Sequence, residues 1–137
     1  MGYHTFTYAL YPHAGDWRSA KTPHKALEHS LPLQALVVSP HRLQGDLPAH
    51  HSFFQVETDT LLPLTLKQAE DDPNAWILRC YEAYGSAASI EFPNALNLEI
   101  EAIVDGLERT TSEQPPSSTV HPWQIVSWKL TQKPIDR

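Results

Sequence analysis

Eight histidines in 137 residues are the richest supply of metal-ligating and proton-transferring groups in this sequence. Zinc takes three or four such ligands converging at about 2 Å. His50 and His51 are adjacent, and neighbours on an extended chain point to opposite faces. His24 and His29 are five apart, a spacing that does not stack on one helical face. No His-Glu-x-x-His run occurs. The histidines therefore read as solvated loop residues, and no metal site is expected in this chain. Two carboxylates some 5 to 9 Å apart can share acid and nucleophile roles in a hydrolase. Glu99 and Glu101 fall on one face of an alternating run, and Asp71-Asp72 sits in a turn-forming stretch. Such pairs, and Glu82 with them, are ordinary on solvent-facing strands. No Gly-x-Ser-x-Gly elbow frames a nucleophile. Cys80 lies on the apolar side of its run and reads as an inert core thiol. No residue is assigned to catalysis.

Four tryptophans offer a different chemistry. A flat, exposed aromatic ring is a platform on which a β-sandwich can stack a sugar. Trp128 falls on an alternating apolar face and Trp76 opens an apolar strand, so both are expected in the core. Trp17 and Trp123 lie in less regular segments and are open to either role. Arg79 reads as a partner for Glu82 or another acid.

The elements that must hold these residues alternate with period 2, the signature of half-buried antiparallel strands. In NALNLEIEA, Leu96, Leu98 and Ile100 oppose Asn97, Glu99 and Glu101. In WILRCYE, Trp76, Leu78 and Cys80 oppose Ile77, Arg79 and Tyr81. LLPLTLK sets Leu62, Leu64 and Leu66 together, with Pro63 confined to an edge or bulge because it cannot donate to a central ladder. WQIVSWKL sets Val126, Trp128 and Leu130 against Ile125, Ser127 and Lys129. TFTYALYP, LQALVVSP and SFFQVE complete seven or more expected strands. Turn residues separate them at 70–74 and 84–86, and TTSEQPPSST reads as a surface loop. From Asp16 to about His29 the alternation stops. Asp16 can cap a short helical turn there, and Pro23 is expected to divide the segment into one or two helical pieces. The fold class expected is all-β, an antiparallel β-sandwich with one short helical excursion after the first strand.

Composition closes off several partners. The net charge is −6 and no Lys/Arg cluster exists, so nothing provides the cationic face that nucleic acid requires. No apolar run approaches the roughly 20 residues of a membrane span. Cys80 is alone, which rules out an internal disulfide. No charged and apolar leader opens the sequence. A cytoplasmic protein is the expectation.

Two stretches carry more than a pattern. FTYALYPHAGDW, residues 6 to 17, resembles the FTYAL-PH-GDW segment of glycoside hydrolase family 38 α-mannosidases. TLKQAEDDPNAWILRCYEAYG, residues 65 to 85, resembles their LK-AED … ILR-YE--G segment. LPLQALVV, HSFFQVE and PWQIVSWKL stand in the family's order, so the likeness runs from about Thr5 to Thr131. The resemblance implies a C-terminal β-domain whose catalytic partner lies elsewhere. In that family an N-terminal α/β domain supplies two His and two Asp ligands to zinc, one Asp serving as nucleophile. Terminal α-mannosides are then hydrolysed with retention through a covalent mannosyl-enzyme. No stretch here corresponds to those ligands. Zinc is thus implied for the parent's catalytic domain, and no cofactor for this one. Met1-Gly2 ahead of a mid-family segment suggests an excised piece, with a short independent reading frame as the alternative, and residues 1–137 are expected to form a single C-terminal accessory β-sandwich domain of a larger α-mannosidase.

Tyr11-Pro12-His13-Ala14-Gly15-Asp16-Trp17 is the segment best suited to a specific role. On one reading Tyr11, His13, Asp16 and Trp17 touch the catalytic domain or the rim of its sugar pocket. On the other the segment is a satisfied turn, with Gly15 at an unusual φ, Asp16 capping and Trp17 plugging the sandwich end. The function expected is non-catalytic: packing on the catalytic domain and shaping its rim. The alternative is a stand-alone carbohydrate-binding module, with a mannose-containing glycan as partner.

Overall fold

The alternation around Trp128 becomes the centre of a sheet. The computed structural model describes residues 2–39, 45–52, 56, 58–91, 97–111 and 115–133. Its elements are α1 (Thr22–Ser30), β1 (Leu61–Gln68), β2 (Ala75–Glu82), β3 (Ala88–Ser89), β4 (Leu98–Val104), β5 (Thr119–Val120) and β6 (Ile125–Gln132). They fall into two compact units, Met1–Asp46 and Leu47–Arg137.

In the second unit four strands pair antiparallel in the order β1-β2-β6-β4, and β3 pairs with β5 in a second small sheet. The register sets Leu78 opposite Trp128 and Cys80 opposite Val126, so their side chains share one face. That face closes over Val120 of β5 and Ile90 beside β3, with Leu61, Leu98 and Leu130 completing the buried cluster. Two antiparallel layers around one apolar core, with one short helix elsewhere in the chain, are the all-β sandwich expected from the alternation. Trp128 is fully buried, and its Nε1–H donates to the carbonyl of Ser117 at 3.0 Å. A buried indole needs such an acceptor.

The irregularity in β1 has a local cause. β1 is an edge strand and its register shifts between Pro63 and Thr65, where proline cannot donate. The shift leaves Leu61 and Leu62 buried while Leu64 and Leu66 turn outward, so the expected Leu62-Leu64-Leu66 face is not formed. A second shift lies between Ile100 and Ala102 in β4. The turns expected at 70–74 and 84–86 are present.

Three expectations are corrected here. Trp76 is 42% exposed at the start of β2, because the core face begins only at Leu78. Arg79 and Glu82 do not pair, since residues three apart on a strand point to opposite faces. Instead Arg79 Nε donates to Ser127 Oγ at 2.8 Å. The segments at residues 5–12 and 33–39 form no ladder among the described residues. Phe6, Tyr8 and Leu10 are 85%, 87% and 89% exposed. The SFFQVE strand expected at 52–57 falls mostly outside the described residues.

The first unit holds α1. Asp16 opens a turn, with Ser19 N donating to its Oδ1 at 2.8 Å and Ala20 N to its carbonyl at 3.1 Å. Lys21, at φ 51°, breaks this turn from the helix. Pro23 then starts α1 instead of dividing it, because a first-turn proline loses no helical hydrogen bond and its fixed φ already suits the helix.

Candidate functional site

Two frameworks, one in each unit, hold aromatic rings at the surface. In the first, Gly15 takes φ 74°, the left-handed backbone that allows the chain to turn from Tyr11 into Asp16. A Cβ at Gly15 would stand 2.7 Å from Ser19 Oγ, so this turn has no room for a side chain. The backbone N–H of Ser19 holds the Asp16 carboxyl below the usual carboxylate range. Tyr11 Oη donates to the Ala20 carbonyl at 3.3 Å, tying the start of the segment to its end. The rings of Tyr11 and His13 lie 5.6 Å apart and tilted by 41°. The Arg18 guanidinium sits 4.3 Å from the centre of the Trp17 ring, within cation–π range. A groove of about 520 Å³ runs between Leu10-Tyr11 and the face of α1 carrying Lys25, Glu28 and His29. The turn thus has the glycine and the cap the sequence suggests, and it brings Tyr11, His13, Asp16 and Trp17 into one seven-residue loop.

In the second unit the organising group is Glu82, at the end of β2. It is 1% exposed. Burial pushes its carboxyl up, but backbone N–H groups of Trp123, Tyr84, Gly85 and Ser86 outweigh that and hold it below the usual range. The bonds from Trp123, Tyr84 and Gly85 measure 3.0, 3.0 and 2.7 Å. One carboxylate therefore clamps two loops, 83–87 and 121–124. Sequence reasoning weighed Glu82 as a solvent-facing acid or as a partner of Arg79, not as a loop clamp. A usable signal was its place on the Leu78-Cys80 parity, which puts an acid on the core face.

The 121–124 loop is a tight turn, closed by Gln124 N to the His121 carbonyl at 3.1 Å. Pro122 and Trp123 occupy its central positions, and Trp123 has φ 63°. Positive φ at the second central position is the type II pattern, which prefers glycine or asparagine. An aromatic residue there costs about 1–3 kcal/mol. The residue is 57% exposed, so burial offsets only part of that cost. Gly85 passes beside the ring: a Cβ on it would stand 2.5 Å from Cζ2 and 2.8 Å from Cε2 of Trp123.

On the sheet face opposite the core, a cleft of about 490 Å³ is lined by Leu64, Arg79, Val104, Ile125 and Ser127 among others. Nearby charges pair off. Lys67 meets Glu108 at 2.6 Å, and Lys129 meets Glu101 at 3.0 Å and Asp72 at 3.4 Å. Glu101 and Asp72 are thus lysine partners. Burial pushes the Cys80 thiol up to about 12, far from a reactive thiolate. Among the described residues no three His, Cys, Asp or Glu side chains gather into a metal-sized group. The donors zinc would need do not fit together there. No helix among the described residues is long and apolar enough to cross a membrane.

Comparison with known proteins agrees with this architecture. Residues 60–128, which span all six strands except the end of β6, match the glycosyl hydrolases family 38 C-terminal beta sandwich domain. Alpha-mannosidase 2C1 of Homo sapiens is 33% identical across 97% of this chain, and that of Mus musculus 35% identical across 80%. Alpha-mannosidase G of Dictyostelium discoideum is 28% identical across 95%. The aligned region makes up 13%, 10% and 12% of those proteins' lengths. No solved structure gives a significant match. The sandwich, its strand order along the chain and the matched residues lead to one assignment: this chain belongs to glycoside hydrolase family 38 as its C-terminal β-sandwich domain.

Proposed function

We propose that residues 1–137 act as a non-catalytic accessory domain of an α-mannosidase that hydrolyses terminal α-mannosides, packing on the catalytic domain and helping shape its active-site rim. The observation that carries this reading is the exposed alternating segment at Phe6, Tyr8 and Leu10, joined by Leu33, Leu36 and Val37 in the same unit. Exposed apolar side chains in such a row mark an interaction surface, and unpaired strand-like backbone is a template for another sheet's edge. The names of the aligned relatives supply the activity, and the rest of their length supplies the partner.

Tyr11, His13, Asp16 and Trp17 follow this row directly, and in this reading they make the rim or interdomain contact. Their built turn supports the role, because a contact loop gains from being rigid before it docks. In this reading zinc belongs to the catalytic partner, and the described residues here gather no ligand set for it. A single buried thiol, Cys80, suits a reducing cytoplasm.

The test is reconstitution. The 137-residue chain is mixed with the remainder of a family 38 α-mannosidase, and association and hydrolysis of a p-nitrophenyl α-mannoside are followed. The expected result is a stable complex, no hydrolysis by the chain alone, and at least about tenfold weaker association for the Phe6→Asp/Tyr8→Asp double variant. Equal association of wild type and variant would overturn the docking surface. Zinc-dependent hydrolysis by the isolated chain would overturn the accessory role.

A further inference from the structure

We propose that Trp123 is the platform of a sugar-binding subsite that stacks the apolar face of a neutral hexopyranose. Neither backbone preference nor full burial selects a tryptophan at this position. The backbone φ of 63° suits glycine, and the residue is 57% exposed. The fold nevertheless fixes the residue twice, its backbone through Glu82 and its ring against Gly85. Glu82, itself 1% exposed, binds the N–H of Trp123 and those of Tyr84 and Gly85 at once. Gly85 packs so near the ring that any side chain there would collide with it. Strain maintained by a buried clamp around an exposed ring is the mark of a recognition element, since the ring is ordered before its ligand arrives.

The ligand class follows from the charge of the two loops. Residues 83–87 and 121–124 contain no Lys, Arg, Asp or Glu. The clamp's own charge is buried and taken up by N–H donors. The same two loops carry a serine and a histidine, Ser86 and His121, both exposed. These two loops therefore offer an anionic ligand no lysine or arginine of their own, and a cationic one no exposed carboxylate. A neutral polyhydroxylated ring fits, with C–H groups against the indole and hydroxyls toward small polar side chains. A mannose-type pyranose as the ring rests on the function proposed above. The subsite itself rests on the Trp123 geometry.

The experiment follows the indole N–H resonances of the 137-residue chain by NMR during titration with methyl α-mannopyranoside. The Trp123 signal should shift saturably, with a dissociation constant in the millimolar range, while that of Trp76, exposed on β2, stays still. Trp123→Gly relieves the backbone strain. It should hold its thermal midpoint within about 5 °C of wild type and lose the response of the neighbouring Gly85 and Ser86 amides. A silent Trp123, or equal shifts at Trp76, overturns the subsite. So does a large fall in midpoint for Trp123→Gly, which would make the ring a structural plug. If Trp123→Gly weakens docking in the reconstitution and sugar leaves Trp123 unmoved, the ring is a protein contact and the subsite is again overturned. Failure of Phe6→Asp/Tyr8→Asp to affect docking, with the Trp123 titration intact, removes the accessory reading alone.

Discussion

Strands within residues 61–132 and the segments 5–12 and 33–39 are alike read as extended apolar runs, yet only the first region forms paired strands among the described residues. In the first, Leu78, Cys80, Val126 and Trp128 meet a second layer carrying Ile90 and Val120 and are buried. In the second, Phe6, Tyr8, Leu10 and Leu33 remain exposed. The difference teaches what alternation encodes. It states which face of an extended segment is apolar and says nothing of what that face will meet. A sheet partner inside the same stretch of chain turns the pattern into core. Without one, the same pattern stays exposed.

The largest expected effect sharpens this contrast. Trp128→Ala removes a fully buried indole and its hydrogen bond to Ser117, and should cost roughly 3–5 kcal/mol in urea unfolding. Phe6→Ala removes a ring that touches little and should stay within about 0.5 kcal/mol. Comparable losses from both would mean that the 5–12 segment is packed after all, and the contrast would break.

The contrast also explains how much the sequence revealed. The four long strands and Trp128 as a core residue were legible because each alternating run has its mates nearby in the chain, at Leu61–Gln132. Pro63 was legible as an edge residue because a missing N–H has only a few possible places. Trp76 was misplaced because parity identifies a face but not where along a strand the opposing layer begins. The Glu82 clamp was hidden for a related reason. An acid on a core-facing position is readable, but the four N–H donors that satisfy it come from loops about 40 residues apart in sequence, at 84–86 and 123. The left-handed Trp123 gave no signal, since Pro-Trp looks like an ordinary turn start until the backbone is seen. On the other side, the Tyr11–Trp17 turn was legible because its glycine and its capping aspartate lie within the same few residues.

A middle-sized effect tests the clamp. Glu82→Gln keeps the shape, loses the charge and puts a donor where acceptors are needed. Its N–H partners are charge-assisted, so the loss should be roughly 1.5–3 kcal/mol. The pH dependence follows from the depressed carboxyl. Its contribution is present in full above the ordinary glutamate value of 4.5 and is lost as pH falls through the lower folded-state value. Acid unfolding curves of wild type and Glu82→Gln should therefore converge below that range. Curves that stay parallel would show that the clamp acts by shape and not by charge.

The smallest effect belongs to the first unit and bears on whether its turn is built in advance or only on docking. Asp16→Ala removes the acceptor for Ser19 N, at 2.8 Å, while leaving the backbone bond from Ala20 N in place. The turn is solvent-exposed and one of its two anchors survives, so global unfolding should hardly move. Amide exchange at Ser19 and Ala20 should quicken, and the Tyr11 hydroxyl should lose its fixed acceptor at Ala20. The Asp16 carboxyl sits below its usual range, so wild type should approach the variant's exchange rates only in acid, as pH falls through that lowered value. In the reconstituted enzyme the same substitution should weaken association less than the Phe6→Asp/Tyr8→Asp pair does. An ordered contact loop contributes by sparing the entropy of arranging Tyr11, His13 and Trp17, whereas the apolar row contributes the buried area itself. If Asp16→Ala instead abolished docking while Ser19 exchange stayed slow, the carboxylate would be making the contact directly, and the turn would be its scaffold.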